Sequence, residues 1–159
     1  MANYFYYDTP VGKLLIAEKD NQITHVLFEG ASPPQGYSFG ETPALAETHR
    51  QLQEYFNGHR REFNLDLNPS GTEFMKNVWT SLQKIPYGET RSYKDIAISI
   101  GRDKAYRAVG SANNKNPISI IIPCHRVVGA DGSLVGYGGG LDIKTFLLDQ
   151  SVIAGIGNI

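Results

Sequence analysis

IIIPCHRVVGADG, residues 120–132, holds the only cysteine of a 159-residue chain. Pro123 precedes Cys124, three isoleucines stand before the proline, and His125 and Arg126 follow. A lone cysteine is commonly a small buried apolar residue. Two nitrogen bases beside it support a second reading. A thiol of pKa ~8.5 is mostly protonated at neutral pH, and its reactive thiolate forms only with help from a base or a positive field. Adjacent residues of a strand point to opposite faces. A Cys124–His125 pair therefore requires a bend where the IIIPC strand ends at Pro123, or a bridging water.

The rest of the chain limits what such a thiol serves. Hydrophobic content of 41% and 19% charged residues describe an ordinary globular protein with a sizeable core. No run approaches the ~20 apolar residues of a membrane span. MANYFYYDTP lacks a basic n-region and an apolar h-region, so no secretory signal is expected. One cysteine makes neither an internal disulfide nor a multi-cysteine zinc site, which fits a reducing cytoplasm. The net charge of −1 divides unevenly: −4 over residues 1–69 (5 Lys+Arg against 9 Asp+Glu) and +3 over 70–159 (10 against 7). Residues 101–128 carry Arg102, Lys104, Arg107, Lys115 and Arg126 against Asp103 alone. A local field of that sign attracts phosphate, although an ordinary surface fluctuation gives the same numbers.

Along the chain, residues 3–29 read as strands, with turn chemistry at DTPVG and at Asp20-Asn21. Residues 30–43 read as a loop. PALAETHRQLQEYFN, 43–57, has helical spacing, Pro43 for its first turn and Gly58 for its C′ position. REFNLDL, 61–67, alternates and predicts a third main strand. The NPSG turn at 68–71 marks a boundary, giving domains of 1–68 and 69–159. Beyond it Ser70 and Glu73 have capping-box spacing for a helix with Phe74, Val78, Trp79 and Leu82 on one face. Ser92 caps a second helix that ends at Gly101, and Asp103 a third from Lys104 to about Asn113. The last two have helix-turn-helix spacing. Ala105, Ala108, Gly110, Ser111 and Ala112 on the third are all small. They serve tight helix packing or a helix slim enough for a groove, with Arg107 as its long arm. GYGGG, 136–140, lacks the frame of a phosphate loop.

IPCHRVVGADG followed by GYGGG and KTFLL resembles the active-site segment of the O6-alkylguanine-DNA alkyltransferases, or methylated-DNA–protein-cysteine methyltransferases. GTEFMKNVWTSLQKIPYGETRSYKDIA and KAYRAVGSANNKNP resemble the family's DNA-binding region, and LQEYFNGHRREFNLDL its N-terminal signature. The resemblance covers nearly the whole chain. It implies an α/β fold: a ribonuclease-H-like antiparallel sheet domain, then a helical C-terminal domain with a helix-turn-helix. It implies a single-turnover transfer of an alkyl group from O6 of guanine, and also O4 of thymine, to Cys124. The partner is double-stranded DNA, bound by a monomer, with no cofactor, no metal and no membrane.

By the same resemblance, His125 is the base, reached through a water. Asn116 pins the turn that carries the cysteine. Tyr93 donates to the leaving oxygen. Arg107 fills the space left by the flipped base, with Lys94, Arg102 and Ala105 at the DNA. Tyr137, Gly138, Val127 and Leu134 form the guanine pocket, and bare glycines at 138–140 suggest a roomier pocket than Ser or Ala at 138 gives. One position departs. Ser151 stands where the family usually has the glutamate that orients the histidine, and a hydroxyl cannot stabilise an imidazolium by charge. Slower transfer than in a glutamate-bearing relative is expected. A lesion sensor with weak transfer is the alternative, although such sensors replace the cysteine that this chain keeps. A Cys–His hydrolase is a third reading, but no oxyanion-hole pattern accompanies it.

Overall fold

A computed structural model describes residues 1–133, 137 and 139–156, with 149–156 described as backbone alone. The chain forms two compact units. Met1–Ser70 and Pro117–Ile121 make the first; Gly71–Asn116 and the chain from Ile122 onward make the second.

In the first unit β1 (Ala2–Thr9), β2 (Gly12–Lys19) and β3 (Gln22–Leu27) form an antiparallel meander. β4 (Ser38–Phe39) adds two residues parallel to β1, so the strand order is β3-β2-β1-β4. Asp20 and Asn21 turn the chain between β2 and β3 with φ of 52° and 68°. Two successive positive φ values suit the twist of a tight hairpin, and Asp and Asn adopt them readily. The buried Glu18 carboxylate supports the turn by accepting the Asn21 N–H at 2.8 Å.

α1 (Pro43–Phe56) begins where expected. The Thr42 hydroxyl accepts the Leu45 N–H, Pro43 occupies the first turn, and Gly58 follows the cap with φ of 77°. Leu45, Thr48, Leu52 and Tyr55 form its buried face, at the 3.6-residue period of the sequence. The third main strand expected at 61–67 does not form. At its centre the backbone is satisfied by α1 instead: Gln51 accepts the Asn64 N–H at 2.9 Å and donates to the Asn64 carbonyl at 3.0 Å. Only an isolated parallel bridge, Ile23–Leu67, remains of the pairing. Alternation describes which residues are buried there, but side-chain amides take the bonds a neighbouring strand would have made.

In the second unit α2 (Glu73–Leu82) is capped by Thr72, not Ser70, and Thr72 accepts the Met75 N–H at 3.2 Å. β5 (Arg91–Ser92) leads directly into α3 (Tyr93–Ser99), where Ser92 and Asp95 form a full capping box at 3.0 and 2.9 Å. Gly101, with φ of 75°, ends that helix. α4 (Tyr106–Asn114) starts later than Asp103 suggests, at Ala105, with no side-chain cap. α3 and α4 are the two arms of the helix-turn-helix. β6 (Val127–Val128) pairs parallel to β5, and α5 (Leu141–Ile156) closes the described chain. Among the described residues no helix is long and apolar enough to cross a membrane.

Candidate active site

The isoleucine run before Cys124 is not a strand. It is two tight turns in succession. Ile120 has φ of 72°, and the Ile121 N–H donates to the Ser119 carbonyl at 2.8 Å. A two-residue return at positive φ is a γ-turn of the strained kind. Pro123 follows with φ of −81° and ψ of 62°, and the Cys124 N–H donates to the Ile122 carbonyl at 2.8 Å. That is an inverse γ-turn, which suits a proline because the ring fixes φ and no N–H is wasted. One turn of 3-10 helix, Cys124–Arg126, completes the bend before β6.

Side chains from elsewhere in the second unit hold this turn from outside. The Asn116 amide donates to the Ile122 carbonyl at 2.8 Å, and the Asn113 amide to the Cys124 carbonyl at 3.3 Å. The two clamped carbonyls flank Pro123. Arg126 is buried, donates to the Ile85 carbonyl at 2.8 Å and lies over the Tyr87 ring. Trp79 of α2 donates its indole N–H to the Ala112 carbonyl at 2.9 Å, fixing the end of α4.

Cys124 is 4% exposed. Burial pushes its thiol up from the ordinary range. Hydrogen bonds from Asn116 and Tyr137, and the nearby Lys144 ammonium, pull it back in part. Lys144 is the cation that sequence reading missed. It is fully buried, donates to the Val127 carbonyl at 2.6 Å and lies 5.9 Å from the Tyr137 ring centre. Burial lowers its own pKa, opposed by Cys124. Arg126, adjacent in sequence and expected to supply the positive field, is spent on a backbone carbonyl instead. Nothing in KTFLL marks Lys144 as buried; only the fold turns it inward.

His125 is wholly buried, and neither ring nitrogen has a hydrogen-bond partner among the described residues. Burial, then Arg126 and Lys144, push its pKa well below the ordinary imidazole range, so it is neutral at physiological pH. Tyr93 opens α3 half-buried. Burial and then Cys124 raise its pKa, which keeps the phenol protonated as a donor. Val127 is buried in β6. Lys94, Arg102 and Arg107 are exposed, with the Arg102 guanidinium over the Phe74 ring. Ala105 is the half-exposed cap of α4. Of the small residues on that helix, Ala112 is buried, as tight helix packing requires, while Ala108 and Ser111 are exposed. Gly138 and Leu134 lie outside the described residues, and Ser151 is described only as backbone within α5. Among the described residues no group of three or more His, Cys, Asp and Glu could hold a metal.

Known proteins resemble this chain along nearly its whole length. Residues 3–69 match the model of the 6-O-methylguanine DNA methyltransferase ribonuclease-like domain, and residues 73–152 that of the 6-O-methylguanine DNA methyltransferase DNA binding domain. The chain is 51% identical over 154 residues to the methylated-DNA–protein-cysteine methyltransferase of Methanosarcina barkeri, covering 90% of this chain and 94% of that protein. It is 46% identical over 156 residues to the constitutive enzyme of that name from Bacillus subtilis, covering 94% of each. Among solved structures, Mycobacterium tuberculosis OGT in complex with DNA superimposes with a TM-score of 0.91 at 42% identity, over 96% of this chain and 94% of that one.

Proposed function

The chain belongs to the 6-O-methylguanine DNA methyltransferase family, and we propose that it repairs DNA by moving an alkyl group from O6 of guanine onto its own Cys124. The observation that carries the chemistry is the clamped turn. It presents a lone thiol to the field of a buried ammonium and a protonated phenol, with a neutral imidazole on the next residue. Sulfur loses its proton and attacks the alkyl carbon. The carbon–oxygen bond breaks, its electron pair stays on O6, and guanine takes back one proton. Lys144 favours the thiolate by charge, Tyr93 donates toward O6 as negative charge grows there, and neutral His125 is free to accept the thiol proton. The lesion is the donor and the protein the acceptor, so the reaction consumes no cofactor. A thioether has no second thiol here to release it, so each molecule acts once.

The substrate is double-stranded DNA, and the target base leaves the stack to reach a thiol this deeply placed. Arg107 on the slim outer face of α4 enters the duplex, with Lys94, Arg102 and Ala105 at its backbone. Tyr137 and Val127, with Gly138 and Leu134, receive the purine; O4-alkylthymine is a second substrate. The boundary expected at residue 68 falls at Ser70, with Pro117–Ile121 returning to the first unit, and the protein works as a cytoplasmic monomer.

The test is stoichiometry. With excess O6-methylguanine duplex, the guanine restored should equal the protein added and then stop. Continued turnover would overturn the single-use mechanism. Duplex binding with no guanine restored would favour a lesion sensor. Ser151→Glu should speed transfer and extend the pH–rate profile to lower pH. Identical rates and profiles would remove any role for that position.

A further inference from the structure

We propose that Asn113, on the last turn of α4, is a positioning residue for the transfer, holding the backbone of the nucleophile to the helix that enters DNA. The inference rests on the function proposed above. Asn113 is 2% exposed, and its amide nitrogen donates to the Cys124 carbonyl at 3.3 Å. That carbonyl also accepts the Val127 N–H, so the turn closes locally without Asn113. The amide oxygen of Asn113 is buried, and no protein donor among the described residues reaches it. A buried amide oxygen without a donor destabilises a fold, so packing alone favours an apolar side chain of similar shape here. Retaining an amide at such a place makes sense when its N–H end does something that stability does not measure.

Position explains it. Displacement at carbon needs the sulfur, the carbon and the leaving oxygen in line, and misplacement by about 1 Å costs up to ~100-fold in rate. The duplex and its extruded base are registered by α4, whose exposed Arg107 lies six residues before Asn113. Cys124 is separated from α4 by two γ-turns, which are poor rulers. Asn116 fixes the carbonyl before Pro123 but belongs to the segment beyond the helix. Asn113 is a residue of the helix itself. Its bond ties the sulfur-bearing residue to the element that locates the substrate.

The experiment compares wild type with Asn113→Leu and Asn113→Asp in single-turnover transfer from an O6-methylguanine duplex, with melting temperature and duplex affinity measured alongside. Asn113→Leu should melt at the wild-type temperature or above and bind duplex equally, yet transfer roughly ten- to a hundredfold more slowly. Asn113→Asp keeps the shape, loses the donor and places a carboxylate against the backbone of Cys124. Its pH–rate profile should move to higher pH. Wild-type rates in Asn113→Leu would overturn the proposal, as would a fall in melting temperature that accounts for the lost rate. Should Asn113→Leu fail to fold, an unshifted profile in Asn113→Asp would overturn it equally. If wild type itself transfers nothing, the proposed function fails; if only the variant comparison fails, the positioning role falls alone.

Discussion

The hairpin turn at Asp20-Asn21 and the reactive segment at Ser119–Cys124 both reverse the chain through positive φ, and they do so at opposite cost. Asp20 and Asn21, at 52° and 68°, are exposed residues whose short polar side chains tolerate that region. Ile120, at 72°, is a wholly buried β-branched residue, for which the same dihedral costs about 1–2 kcal/mol. The first turn is made by its own residues. The second is imposed by its surroundings: Val26 brackets it with hydrogen bonds at 2.9 Å to the Pro117 carbonyl and 3.1 Å from the Ser119 N–H, while Asn116 and Asn113 clamp the carbonyls beside Pro123. Backbone strain persists only where packing over-determines it, and it does so here within four residues of the proposed nucleophile.

If the reactive turn depends on outside clamps, removing one should cost more than any change within the hairpin. Asn116→Ala should lose about 1–3 kcal/mol, because the Ile122 carbonyl loses a buried donor. It should also slow transfer, since the same amide bonds the sulfur. A melting curve and rate matching wild type would break the contrast. Lys144→Met should leave the thiol higher in pKa, making transfer slower at neutral pH and recovering it at alkaline pH; a pH–rate profile superimposable on wild type would remove the ammonium from the account.

The pH dependence of stability sharpens the same point. The folded pKa of His125 lies well below 6.5, so the unfolded chain binds the extra proton. Its contribution to stability is complete above pH ~6.5 and is lost as pH falls from there toward the folded value. Melting temperature should therefore decline from about pH 6.5 downward, and less steeply in His125→Gln. Equal slopes would mean that the imidazole is not held neutral by the fold. The smallest effect is expected in the hairpin. Asn21→Gly should change stability by no more than about 0.5 kcal/mol, because glycine adopts the same φ freely.

What the sequence made legible follows the same division. The Asp-Asn turn, the Pro43 and Gly58 punctuation of α1 and the Ser92 cap were readable because residue preference and conformation agree, whereas the capping box expected at Ser70 and Glu73 gave way to Thr72. The isoleucine run was misread as a strand because β-branched residues favour strands, whereas the surroundings hold Ile120 in a conformation that isoleucine avoids. Residues 61–67 misled for a related reason: Gln51 takes the backbone bonds of Asn64, thirteen residues away. Of the proposed site, Cys124 and His125 drew notice in the sequence itself, while Tyr93 and Asn116 entered only through the family resemblance. Lys144 and Asn113 were not visible, because their importance lies in which carbonyl each reaches.

The most direct test follows the mass of the intact protein after incubation with an O6-methylguanine duplex, then maps the change to a peptide. One methyl per molecule, located on Cys124 and absent from Cys124→Ser, is the expected result. A methyl on any other residue, or none gained by protein that demonstrably binds the duplex, would contradict the account.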